Sequence, residues 1–198
     1  MLFRSPPWDS VVYWSLDLET GGLDARQDPI LAVGMVPIRF GIVRLSESYR
    51  TLVRPRLGAA INPRSIPAHQ LVRAEVSQAP DAVEVLRQVD DRIRQGALLV
   101  HHAQVDVAFL RQAYRENGLR WPRPKVVDTA LLLLQAARKD RFTRPDAPQP
   151  SLNLSEARRV AGLPEYAAHD ALSDAVATAE LFLVLRRRLG AKTLRDVR

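Results

Sequence analysis

Residues 11–20 read Val11, Val12, Tyr13, Trp14, Ser15, Leu16, Asp17, Leu18, Glu19, Thr20. The apolar run from Val11 to Leu16 has strand composition and is too short for a typical helix, which predicts a buried strand. Side chains at i and i+2 of a strand point the same way, so Asp17 and Glu19 project together from one face at its end. Two anions that close repel strongly unless something positive lies between them, and a divalent metal is the obvious candidate. The spacing alone is also what an exposed strand end offers, with Gly21 and Gly22 turning the chain next door. The remainder of the chain decides between these.

At 198 residues the chain is long enough for one domain with a substantial core, and no composition break calls for a second. Hydrophobic residues make up 46% and charged residues 26%, which argues against global disorder. No apolar run approaches the roughly 20 residues needed to span a bilayer, so no membrane partner is expected. Residues 1–10, with Arg4, Asp9 and the pair Pro6 and Pro7, lack the basic start and apolar middle of a secretory signal and read as a short surface arm. The absence of cysteine excludes disulfides and thiolate metal sites and fits a cytoplasmic location. Any metal must then be held by oxygen or imidazole. The formal charge of +7 and sequence pI near 10.5 favour an anionic partner, and nucleic acid is the commonest soluble polyanion. All but three of the 29 basic residues are arginine, whose planar fork suits phosphate.

After the opening strand, Ile30 to Ile38 reads as a second strand broken by Pro37, and Phe40 with Gly41 reverses the chain. Ile42, Val43 and the run from Tyr49 to Arg54 give a third, so the first three strands form an antiparallel meander. Between Pro55 and Pro80 the prolines and Gly58 predict a connecting segment with at most one short helix. Pro80 and Asp81 open an amphipathic helix carrying Val83, Leu86, Val89 or Asp90, and Ile93, which Gly96 stops. Ala97 to Val100 is a buried parallel strand ending at His101 and His102. Helical spacing then runs from Val107 through Leu110 and Tyr114 to the stop at Asn117 and Gly118. Val126 to Asp128 is another brief strand, followed by a helix from Leu131 to near Lys139. The polar, proline-rich stretch 141–150 is the best candidate for a mobile loop. Ser151 or Asn153 caps the next helix, which runs to Gly162, and the last helix starts near Asp170 with Leu172, Val176, Ala179 and Leu183 on one stripe. Meander first, then strands alternating with helices, is an α/β pattern: a five-stranded mixed sheet flanked by helices, with the opening strand at its centre.

Asp106 and Asp128 each lie just beyond or at the end of a predicted strand, where a helix cap or turn residue is the ordinary reading. Asp174 falls in the first turn or so of the final helix, where an acid can simply complement the dipole. His169 stands five residues earlier, which on one continuous helix would set the two about 140° apart. Placed instead in a loop before an Asp170 cap, His169 can swing over a site that Asp174 reaches from the helix. A metal ligand and a movable base would then stand side by side.

Three segments together carry a family resemblance: Asp17-Leu18-Glu19-Thr20, then Val100-His101-His102-Ala103-Gln104-Val105-Asp106, then His169 to Thr178 with Asp174 inside it. They resemble the three motifs of the DEDDh 3′-to-5′ exonucleases, relatives of the proofreading subunit of bacterial DNA polymerase III. The likeness extends from about Val11 to Leu189 and includes Ile61-Asn62-Pro63 and Val127-Asp128-Thr129. It implies a ribonuclease H-like fold and a single exonuclease domain with a core of about residues 11–189. It also implies metal ligation by Asp17, Glu19, Asp106 and Asp174, and contact with the substrate end by Leu18, Thr20, Gly21 and His101. Family members usually carry a second Thr at the position of Gly21, and Asn and Phe at those of His102 and Val105. Gly21 can still offer its backbone N–H to the terminal nucleotide, whereas Val105 shrinks the packing beside Asp106.

The mechanism this implies is hydrolysis with two divalent ions roughly 3.5–4 Å apart. Asp17 approaches both ions, Glu19 and Asp174 complete the shell of the one carrying the water, and Asp106 supports the second. Hard oxygen ligands favour Mg²⁺ or Mn²⁺, and His169, an imidazole ordinarily titrating near 6.5, takes the water's proton. The expected partner is nucleic acid with a free 3′ end, probed first as single-stranded DNA, and the product a nucleoside 5′-monophosphate. An exoribonuclease, and a binding module of the same fold without turnover, are the alternatives. A polymerase or homodimer partner is open; only nine residues follow Leu189, which favours a free-standing enzyme over one tethered by a long tail.

Overall fold

Side chains alternate along the first long strand, β1 (Tyr13–Thr20), and that alternation sorts the molecule into two helical layers. Tyr13 packs in one apolar cluster, Trp14, Leu16 and Leu18 in the other. The computed structural model describes residues 5–56, 78–142, 144–146, 148–166 and 170–198. The short helix expected between Pro55 and Pro80, and the Ile61-Asn62-Pro63 segment, fall largely or wholly outside these residues.

β1 is central, as its composition predicts. It pairs antiparallel with β2 (Ile30–Arg39) and parallel with β5 (Ala97–Val100), which pairs parallel with β6 (Lys125–Asp128). The expected third strand is divided: β3 (Ile42–Val43) and β4 (Tyr49–Leu52) lie one after the other along the same edge of β2, separated by a 3₁₀ turn at Leu45–Glu47. The sheet therefore has six strands rather than five. Pro37 explains both this break and its own place inside β2, which it does not interrupt. Its carbonyl accepts from the N–H of Arg44 (2.9 Å), so its nitrogen faces the gap between β3 and β4, where the missing donor costs no ladder bond.

On the Trp14 side lie α1 (Ala82–Ile93) and α2 (Ala103–Glu116); on the Tyr13 side lie α3 (Thr129–Arg141), α4 (Leu154–Val160) and α5 (Ala171–Leu189). The caps are those the sequence offers: Asp81, Asn153 and Asp170 each accept a backbone N–H from the first turn of their helix, and Gly190 ends α5 in the left-handed region. The stripe expected on α5 is rotated. Ala171, Ala175, Thr178, Phe182 and Leu185 are buried, while Leu172, Val176 and Leu183 are only partly so. Of the expected stripe only Ala179 is fully buried; the helix is packed between the sheet and α3, with small residues against the sheet in its first turns and Leu181, Phe182 and Leu185 buried further along. Residues 5–10 are tied to the chain's other end: Trp8 N–H donates to Lys192 (3.0 Å), Leu194 N–H to Pro6 (3.0 Å), and the Arg186 guanidinium lies 3.9 Å over the Trp8 ring.

Candidate active site

Asp17 and Glu19 share the face of β1 that carries Ser15, and Ser15 fixes what that face meets: its hydroxyl donates to the carbonyl of Ala175 on α5 (2.7 Å, buried). Asp174 is the preceding residue. One strand over, Gly34 is the cross-strand neighbour of Asp17, and a β-carbon there would fall inside the Ala171 backbone. The first turn of α5 is thus seated directly on the sheet at the level of Asp17. As a result one carboxylate oxygen from each of Asp17, Glu19 and Asp174 lies within 4.8 Å of the others. Neither Gly34 nor Ser15 is singled out by the sequence reading. A glycine amid the apolar run of β2 is the signal that marks a close backbone approach.

Asp106 arrives from the opposite layer. The β1–β5 pairing stops at Ser15 and Leu99, so β1 outruns its neighbour, and the N–H of Leu18 is left to donate to the Asp106 carboxylate instead of a strand carbonyl. Asp106 sits in the first turn of α2, 5% exposed, outside the cluster of three yet facing Asp17. The corner delivering it is held by Asp128. That carboxylate caps α3 through Ala130 N–H (2.9 Å) and also accepts from His102 N–H (3.1 Å) and Ala103 N–H (2.9 Å). His102 itself is left-handed (φ 65°), a conformation that Asn favours and His tolerates better than most residues. Val105, expected to pack beside Asp106, is instead 45% exposed on the outer side of that turn.

Burial and mutual repulsion raise the proton affinity of Asp17, Glu19 and Asp106. Asp17 is pushed well above the usual carboxylate range by burial, then by Asp106, Asp174, Glu19 and Asp170. Glu19 is pushed up to about 7 by burial, then by Asp174 and Asp170. Asp106 is pushed up to about 8, chiefly by burial, against the pull of its own N–H and that of Leu18. Every charged neighbour acting on Asp17 is itself a carboxylate. An all-oxygen donor set under that repulsion fits a hard divalent cation. Asp170, the α5 cap, is tethered from outside by Arg50 of β4 (2.6 Å), the cross-strand neighbour of Gly34.

The residues expected at the substrate end are more occupied than the sequence implies. The Gly21 N–H, expected to face a nucleotide, donates to Pro29 (2.8 Å), and a β-carbon at Gly21 would lie 2.7 Å from the Pro29 ring. Thr20 donates its hydroxyl to Gly22 (2.6 Å). His101 has both ring nitrogens engaged: Nε2 faces the Leu152 carbonyl (2.7 Å) and so carries the proton, leaving Nδ1 to accept from the Thr129 hydroxyl (2.7 Å). Its burial lowers its proton affinity. His101 is therefore a bracket between α2, α3 and the approach to α4. His169 lies outside the described residues.

A ribonuclease H-like sheet whose central strand brings two carboxylates to a third on a helix laid across it has the architecture of a nuclease. The chain belongs to the exonuclease family, the RNase T family model matching residues 15–182. It is 35% identical over 190 residues to a DNA polymerase III subunit epsilon-like protein of Rhodobacter capsulatus, covering 95% of this chain and 25% of that protein. With a Staphylococcus aureus 3′-5′ exonuclease, DinG, it shares 26% identity over 172 residues, 87% of this chain and 18% of the other. The chain thus spans about a quarter or less of the length of these relatives. Among solved structures, a zinc-bound complex of E. coli exonuclease I with single-stranded DNA superposes with a TM-score of 0.75 at 17% identity, over 91% of this chain and 41% of that one, which establishes the shared fold. No helix among the described residues is long and apolar enough to cross a membrane.

Proposed function

We propose that this domain is a 3′-5′ exonuclease that hydrolyses terminal phosphodiester bonds of nucleic acid, with single-stranded DNA as its substrate, and releases nucleoside 5′-monophosphates. The convergence of Asp17, Glu19 and Asp174 within 4.8 Å, with Asp106 facing Asp17 from the other layer, carries the reading. Asp17 would serve both of two Mg²⁺ or Mn²⁺ ions, Glu19 and Asp174 the first, and Asp106 the second. Such ions supply charge neutralisation at the phosphoryl oxygens and a more acidic water.

The chain's own residues do the positioning. Leu18 N–H orients Asp106, the seat of α5 on Gly34 orients Asp174, and the Asp170 cap fixes where the final helix begins. His169, in sequence the residue before that cap, is the proposed general base that accepts the proton of the attacking water. Leu18 and Thr20, flanking Glu19, are the proposed contacts for the terminal nucleotide, with His101 holding the adjoining corner. Gly21 remains a proposed contact at the substrate end, its missing side chain letting Pro29 pack against it while its N–H donates to the Pro29 carbonyl.

The test is a side-by-side digestion of 3′-ended single-stranded DNA, duplex DNA and short RNA with Mg²⁺ or Mn²⁺, with EDTA as control. Mononucleotides should accumulate from single-stranded DNA, stop on chelation and return with either ion. Digestion of RNA alone would reassign the substrate, and no digestion of any of them would leave only a binding module. His169→Ala should abolish release in a protein that remains folded; full activity in that variant would remove the base assignment.

A further inference from the structure

At the opposite end of the parallel strands from the carboxylates, the link between α2 and β6 forms a cleft of about 540 Å³ lined by Arg111, Arg120, Trp121, Arg123, Pro124 and Val126. Its chemistry is one-sided. Three arginines line it, and none of the Arg111, Arg120 and Arg123 side chains has a hydrogen bond or ion pair among the described residues. Some arginines elsewhere are matched, among them Arg39 with Glu47, Arg94 with Asp90, Arg158 with Glu180 and Arg159 with Glu156; here three without a partner share one depression. Trp121 stands edge-on to Tyr114 (5.1 Å, 87°), half-buried, so its position is fixed while part of the ring remains at the surface. Arg123 is held left-handed (φ 53°) between Pro122 and Pro124. A residue preceding proline is already restricted, and a β-carbon makes that region costly, so the turn presents Arg123 at the expense of local backbone strain. Such strain persists where a site needs it.

We propose that this cleft is a second phosphate-binding site, which holds the nucleic-acid strand several nucleotides away from the end being hydrolysed. Guanidinium forks match phosphate oxygens, and a fixed indole beside them offers a surface for a base. Arg111 lies five residues beyond Asp106 on α2, about 8 Å along the helix and about 140° around it, so a strand joining the two sites passes round the outer face of α2. Pro124 lies four residues, about 13 Å of strand, below Asp128. This inference rests on the exonuclease reading but concerns grip on a long substrate rather than the cleavage step.

The test uses the Arg111→Ala, Arg120→Ala, Arg123→Ala triple variant, all three residues being exposed. Binding of a fluorescent single-stranded oligonucleotide is followed by anisotropy in EDTA across a salt series. Loss of three phosphate contacts should lower the magnitude of the slope of log affinity against log salt by about 2, with weaker binding at low salt. Hydrolysis of a minimal substrate, the p-nitrophenyl ester of thymidine 5′-monophosphate, should stay within about two-fold of the native rate. The corresponding triple Lys variant should recover the slope, because charge suffices for counterion release. An Ala variant with the native slope and affinity overturns the cleft alone and marks these arginines as a solvated face. A parallel loss of ester hydrolysis also overturns it, since the effect would then be on the acid site. A native protein that neither binds the oligonucleotide nor hydrolyses the ester overturns the exonuclease reading together with this one.

Discussion

Gly34 lies directly beneath Ala171, so closely that no side chain can stand between the second strand and the final helix. Because Gly34 is also the cross-strand neighbour of Asp17, the contact sets the height at which Asp174 meets Asp17 and Glu19. Gly34→Ala should lift the first turn of α5 and cost about 1–3 kcal/mol of stability, the usual range for overpacking. Exonuclease activity should fall by far more than the stability loss explains. Denaturant unfolding and a mononucleotide-release assay on the same preparation decide it; a variant of native activity would mean that the seat does not position Asp174.

The raised acids give the metal-free protein an unusual pH dependence. Glu19 moves from 4.5 to about 7 and Asp106 from 3.8 to about 8, so the folded chain holds these protons more tightly than the unfolded one. Their contribution to stability is full below about 4 and is lost as pH rises through 7 to 8. In EDTA, Tm should therefore decline across that window. Mg²⁺ or Mn²⁺ should restore it at the alkaline end, with protons released on binding. A flat profile in EDTA would show that the carboxylates are not held against one another.

Asp17→Asn removes the charge on which four other acids press. The variant should lose activity on the order of 10³-fold or more, yet without metal it should melt above the native protein at pH 8. Stability and activity moving in opposite directions is the signature of a site whose repulsion is kept for function. Thermal melts in EDTA at that pH check it.

Asp128→Ala withdraws the acceptor of three backbone N–H groups, those of His102, Ala103 and Ala130, at a corner where His102 is already left-handed. A cost on the order of 2 kcal/mol is expected from the lost cap and unpaired donors. Activity should fall through Asp106, which the same corner delivers. Asp128→Asn, which keeps an acceptor oxygen, should recover most of the stability, and equilibrium unfolding of the pair separates hydrogen bonding from charge.

Much of this protein is legible along the chain because strand and helix periodicities are local. The run before Asp17 announces a buried strand, the spacing of Asp17 and Glu19 puts both on one face, and Asp81, Asn153 and Asp170 announce their helices. Even the fate of the third strand follows from Pro37 once its orientation is known.

What the sequence by itself determined is therefore the set of elements and the acids they carry. That Asp17, Glu19, Asp106 and Asp174 belong together followed from the family resemblance alone; how they are brought to one place only the tertiary structure decided. Asp174 reaches Asp17 because Gly34 lets a helix some 140 residues further along settle onto the strand beside it. Asp106 reaches the same place because β5 stops short and leaves the Leu18 N–H in need of an acceptor. Gly21 and His101 show the converse: their polar groups looked available for substrate, and neighbours remote from the motif, Pro29 and Leu152, had taken them. Periodicity reports which face of an element is buried, but what lies against that face depends on packing between segments whose separation along the chain carries no local signal.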